Sequence, residues 1–157
     1  MNGTRIFSTL ACLTLTVPGI AQAESDFSGA WVLNTSKGEN LGMVAAIQET
    51  LTVEQTTEQL SVKHAAVFQG KESTREVNYD LKGAPVTNYA AMGDKSETVS
   101  EWRGDGLLTT WSSEGAIAGT TVTRTETRSL AEDGNTMTVA TARADRPPMV
   151  LVYERTE

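Results

Sequence analysis

His64 is the only histidine in this sequence, and with a reference pKa of about 6.5 it could serve as a general base or as a polar anchor for a ligand. A satisfied or half-exposed strand histidine is the plainer reading, because no second histidine and no neighbouring cysteine can join it around a metal. A hydrolytic triad would need His64 with a serine and an acid. Ser112, Ser113 and Glu114 supply those types but not the spacing of a nucleophile elbow. Tyr153 is a second acid–base candidate. Arg124-Thr125-Glu126-Thr127-Arg128 alternates charge with hydroxyl. Facing inward, its charges would form a buried network able to orient an anionic head through the bidentate arginine fork. Facing outward, they would be a solvated stripe with Thr123, Thr125 and Thr127 turned in. Exposed charge runs are the commoner case, and the sequence leaves both faces open. No metal and no cofactor is expected.

These side chains must be positioned by strands. Beyond Trp31 the apolar residues recur with period two far more often than 3.6. Leu51-Thr52-Val53-Glu54 alternates, Thr56-Thr57-Glu58-Gln59 reads as a polar turn, and Leu60-Ser61-Val62-Lys63 alternates again. Residues 74–81 place Val77, Tyr79 and Leu81 on one face and Glu76, Asn78 and Asp80 on the other. Residues 95–102 and 107–112 flank Arg103-Gly104-Asp105-Gly106, a hairpin signal because Asp-Gly tolerates positive φ. Residues 120–130 and 137–141 flank Glu132-Asp133-Gly134-Asn135, a second hairpin. Pro147-Pro148 marks a last turn before 149–155. Only 36–47 could be helical, with Ser36-x-x-Glu39 as a capping box weakened by Gly38 and Gly42. The pattern predicts an all-β domain, a single small antiparallel barrel of about eight to ten strands.

Residues 1–23 read as a signal peptide. A basic start leads into an apolar run broken by Pro18-Gly19, then Ala21-Gln22-Ala23 offers a small-x-small cleavage site. The apolar run is short for a membrane span, which needs about 20 apolar residues. Cys12, the only cysteine, lies too near the N-terminus for a lipid-attachment site. Residues 24–157 then form one barrel domain, periplasmic or secreted and free of disulfides. Removing the single arginine of the signal takes the formal charge from −7 to −8. So acidic a domain lacks the basic footprint of a nucleic-acid binder and has little pull toward anionic lipid. No stable membrane insertion is expected, and the domain should be a monomer or weak dimer.

Phe27-Ser28-Gly29-Ala30-Trp31-Val32-Leu33-Asn34 resembles the opening of the calycin barrels, the lipocalins and fatty-acid-binding proteins. Val152-Tyr153-Glu154-Arg155 resembles the final strand of the fatty-acid-binding group. Asp26 to Lys37, Trp102 to Leu107 and Leu130 to Gly134 together look like a set of secreted bacterial lipocalin-like proteins of undefined function. The resemblance implies a barrel plugged at one end by Phe27, Gly29 and Trp31, where glycine allows a sharp turn and tryptophan offers bulk and one N–H. It also implies a small hydrophobic or amphipathic ligand. Two departures count against fatty acid itself. The family's Arg-x-Tyr would put an arginine at position 151, which is leucine, and the interval from Trp31 to Leu51 is too short for a two-helix lid.

Alternate strand residues point into a small barrel. Strand parity therefore nominates His64, Phe68, Arg75, Tyr79, Trp102, Trp111, Arg124 and Tyr153 as ligand-binding, with Leu60, Val62, Met149 and Leu151 on the same inner faces. Three functions stay open: an exported ligand-binding barrel, a barrel isomerase or hydrolase using His64 or Tyr153, and a filled barrel that acts as an envelope or interaction protein. A hollow lumen separates the first two from the third.

Overall fold

A computed structural model describes residues 24–89, 93–143 and 146–156; the signal-peptide segment lies outside them. Ten strands follow one another: β1 (Gly29–Leu33), β2 (Gln48–Gln55), β3 (Gln59–Phe68), β4 (Lys71–Asp80), β5 (Val86–Tyr89), β6 (Lys95–Arg103), β7 (Gly106–Glu114), β8 (Thr121–Leu130), β9 (Thr136–Arg143) and β10 (Arg146–Thr156). They form one sheet in the order β4-β3-β2-β1-β10-β9-β8-β7-β6-β5. Every pair is antiparallel, and all but the β1–β10 contact join neighbours in sequence. Such hairpin connectivity follows from strands carrying one apolar face each, joined by short turns. At the β3–β4 turn, Gln69 and Gly70 both take positive φ, 51° and 75°, which matches the right-handed twist of the strands.

The sheet's two ends, β4 and β5, meet without a backbone ladder. Asn88 closes the seam with its side chain. Its Oδ1 accepts from the Asn78 N–H at 2.9 Å, and its Nδ2 donates to the Asn78 carbonyl at 2.7 Å and to Thr98 Oγ1 at 2.8 Å. The carboxamide thus replaces a peptide unit and covers a sheet edge that would otherwise be left open.

One end of the barrel is plugged as the Gly-x-Trp motif implies. Trp31 is fully buried, and its Nε1 donates to the Phe27 carbonyl at 3.0 Å. The Arg155 guanidinium lies 4.2 Å over the Trp31 ring and donates to Ser28 O at 2.6 Å and Gly134 O at 2.9 Å. Gly29 sits at φ 131°, and a Cβ there would collide with that guanidinium. Gln55 pins the entering chain, accepting from Phe27 N at 3.0 Å and donating to Ser25 O at 2.8 Å.

Two sequence expectations give way here. The helix expected within 36–47 shrinks to a 3-10 turn, Gly42–Ala46, with no side-chain cap. Ser36 Oγ donates instead to Asn34 Oδ1 at 2.6 Å, the local competition that lets serine and asparagine favour turns over helix interiors. The proline pair is not a turn but the opening of β10, where the β9–β10 register shifts between Arg146 and Met149. A bulge tolerates prolines because no ladder N–H is needed there.

Candidate functional site

The inner faces of β2, β3, β4, β7, β8, β9 and β10 enclose a cavity of about 390 Å³. His64, Arg75, Tyr79, Trp111, Arg124 and Tyr153 all line it, together with Glu49, Leu51, Asp94, Glu126, Arg128, Val139, Thr141, Met149 and Leu151. The barrel is therefore hollow above its plug. The charged stripe of β8 faces the lumen, decided by its partners: Arg128 stands opposite Leu107 and Val139 in the ladder, both buried. Thr123 and Thr127 are exposed on the other face.

Two of the nominated residues do not reach the cavity. Phe68 keeps inner parity, but it ends β3 opposite Lys71 at a hairpin tip, where it is 36% exposed. Trp102 belongs to the plugged end, stacked on Phe27 with ring centroids 6.1 Å apart and planes 3° from parallel.

One wall carries a polar chain that the sequence reading missed. Glu49 Oε1 lies 2.9 Å from His64 Nδ1, and the Tyr153 hydroxyl donates to Glu49 Oε2 at 2.7 Å. Burial alone would raise the Glu49 carboxyl, but the hydrogen bonds from His64 and Tyr153 and the Arg75 charge hold it below its ordinary range. Glu49 is thus an ionised acceptor, so Nδ1 of His64 carries the proton and donates to it. Arg75 Nη2 stands 3.2 Å from the same nitrogen; there a donor faces a donor and no hydrogen bond results. Burial, aided by the Arg75 and Arg128 cations and opposed by Glu49, lowers the His64 pKa. The ring is neutral near pH 7, with Nε2 as its acceptor. Tyr153 is pushed well above its ordinary pKa, by burial first and the Glu49 charge second, so it keeps its proton. The signal for Glu49 was present: it shares inner parity with Leu51 and Val53.

The opposite wall carries Arg128. It is 3% exposed, with Nη2 donating to Glu126 Oε1 at 3.1 Å. Its guanidinium carbon lies 5.3 Å from the Tyr79 ring centroid and 5.9 Å from that of Phe27. The Nε and Nη1 N–H groups have no hydrogen-bond partner among the described residues, and neither does Trp111 Nε1. Arg124 lies 4.5 Å over the Trp111 ring, nearer the far end of the same strand. The Tyr79 hydroxyl is pushed far up, chiefly by burial and then by Glu126, and stays protonated. Arg128 also answers the departure at Leu151. Arg128, Val139 and Leu151 occupy one ladder row across β8, β9 and β10, so a cation is present two strands away from the leucine.

No protein-family model and no curated protein matches the sequence. Among solved structures, the barrel is similar to the REP1-NXSQ fatty acid transporter, with a TM-score of 0.64, 16% identity and coverage of 83% of this chain and 96% of that one. The fold is a calycin-like antiparallel barrel. Echinococcus granulosus fatty-acid-binding protein 1 is similar at a TM-score of 0.62, with 13% identity over 83% of this chain and 98% of that one. Human cRBP IV is similar at 0.60, with 15% identity over 84% and 99%. This barrel carries Leu151 where the sequence resemblance implies an arginine, and a single 3-10 turn where it implies a two-helix lid.

Proposed function

We propose that the chain is an exported barrel that binds a small amphipathic anion in its lumen. The observation that carries this reading is Arg128, a buried cation on the cavity wall whose Nε and Nη1 N–H groups have no hydrogen-bond partner among the described residues. A buried donor left without a partner costs about 1–3 kcal/mol, and a carboxylate, sulfonate or phosphate accepting from both would relieve it. Trp111 Nε1 adds a third donor on the same wall. Leu51, Val139, Met149 and Leu151 give the ligand's apolar part a surface, and the volume lies in the range of small-molecule sites. The similar barrels include a fatty acid transporter and a fatty-acid-binding protein, which supports an amphipathic ligand. Periplasmic or secreted location rests on the signal-like residues 1–23. Displacement of 8-anilinonaphthalene-1-sulfonate tests the reading. Dodecanoate should displace it at least tenfold more effectively than the uncharged methyl dodecanoate. Equal displacement by the two would refute an anion site.

A further inference from the structure

The cavity wall opposite Arg128 suits something other than a plain alkyl chain. A hydrocarbon laid against Glu49, His64 and Arg75 would strip water from charged and polar groups and return no hydrogen bond. Those groups also have capacity to spare: His64 Nε2 accepts, and Arg75 Nη2 faces a protonated nitrogen that cannot accept from it. His64 and Arg75 are ladder partners on β3 and β4. In the ring of ten strands, β3 lies five places from β8, so the two polar stations occupy opposite walls.

Their separation along the barrel can be read from β4. Arg128 reaches across the lumen to Tyr79. Arg75 stands four residues from Tyr79 on the same face, about 13 Å along a strand. An extended chain advances about 1.2 Å per bond, from roughly 3.5 Å for the three backbone bonds of a residue. That spacing thus corresponds to about eleven bonds.

We propose that the ligand carries a second oxygen function, a hydroxyl or carboxylate about eleven bonds from its anionic head, which His64 and Arg75 take up. A hydroxyl would donate to His64 Nε2, and a carboxylate or hydroxyl oxygen would accept from Arg75. The inference rests on the amphipathic-anion reading and sharpens its ligand class from an alkyl acid to a long acid oxygenated near its far end.

The test compares dodecanoate, 2-hydroxydodecanoate, 12-hydroxydodecanoate and dodecanedioate by dye displacement and calorimetry. At least one of the two far-end oxygenated acids should bind tenfold or more tightly than dodecanoate, and 2-hydroxydodecanoate should gain nothing. In His64→Leu/Arg75→Met the ratio should fall to about one, in keeping with the loss of one charge-assisted hydrogen bond. Because His64 is the sole histidine, its imidazole ¹⁵N signals give a second readout in the unaltered protein. The Nε2 resonance should move on adding 12-hydroxydodecanoate and stay in place with dodecanoate. Dodecanoate binding as tightly as both far-end oxygenated acids, an advantage that survives the double substitution, or an unmoved Nε2 resonance would each overturn the inference while leaving the anion site standing. Failure of all four acids to bind would overturn both.

Discussion

Arg128→Met should trade binding for almost nothing in stability. The substitution removes two unpartnered buried N–H groups, which at about 1–3 kcal/mol each relieves roughly 2–6 kcal/mol. It also breaks the largely buried 3.1 Å ion pair with Glu126 and leaves that carboxylate without its cation, about 3–5 kcal/mol. Two cation–π contacts over Tyr79 and Phe27 go as well, each worth about 0.5–1 kcal/mol. Methionine fills similar space and adapts to irregular surroundings. The opposing effects cancel to within about 2 kcal/mol, whereas truncating an ordinary core residue such as Leu51 to alanine costs about 2–5 kcal/mol. Urea denaturation with linear extrapolation measures the difference. Dodecanoate affinity should fall between about tenfold and a hundredfold, the equivalent of a lost charge-assisted hydrogen bond. A stability loss above about 4 kcal/mol would make Arg128 a keystone of the core. Affinity held within threefold would show that the anion sits elsewhere. Either result refutes the reasoning.

Asn88→Ala should destabilise the barrel by about 1–3 kcal/mol through three lost hydrogen bonds. It should also expose the Asn78 amide to hydrogen exchange while amides in β9 keep their protection. Asn88→Asp should be worse than its near-identical shape suggests, because a carboxylate oxygen would then face the Asn78 carbonyl. Gly29→Ala should cost about 2 kcal/mol or more, since φ there is 131° and the new methyl meets the Arg155 guanidinium; denaturation followed by tryptophan fluorescence reads it. Acid should weaken the fold in two stages. The native pKa of His64 lies below its ordinary 6.5, so below pH 6.5 the unfolded chain takes up a proton that the native ring resists, and stability falls. The native pKa of Glu49 lies below 4.5, so a second loss begins under that pH. Urea midpoints from pH 7.5 to 4 should show the upper stage vanish in His64→Gln.

The strand register was legible in the sequence because period-two patterning and turn residues are local. Val77-x-Tyr79-x-Leu81 and Asp133-Gly134 need no tertiary information to be read. Trp31 was legible as a plug for the same reason: the motif is short and contiguous. The orientation of Arg124, Glu126 and Arg128 was not, since β8 offers two polar faces and propensity cannot choose between charges and threonines. The choice is made by β7 and β9, whose apolar residues at 107 and 139 fix the inner side. Trp102 and Trp111 also looked equivalent by parity. They differ in height along the barrel, and height depends on strand stagger, which a single sequence does not display. Asn88 was invisible because its partner is the backbone of a strand ten residues away.

The charge pattern explains why a cation is tolerated so deep in an acidic protein. Three arginines, Arg75, Arg124 and Arg128, and three carboxylates, Glu49, Asp94 and Glu126, line the cavity, so its wall is formally balanced although the chain is net negative. Glu126 and the faces of Tyr79 and Phe27 meet only part of what Arg128 requires, and the unmet part is carried by the Nε and Nη1 N–H groups, which have no hydrogen-bond partner among the described residues. A buried ion pair can be replaced as a whole by apolar residues at little or no cost in stability, so a purely structural role for the Arg128–Glu126 pair gives no reason for the donors left over. On the proposed anion site, the unmet hydrogen bonds represent binding free energy held in reserve. An anion that satisfies them stabilises the native barrel in proportion to its concentration over its dissociation constant. The proposed site thus couples ligand affinity and fold stability through one guanidinium.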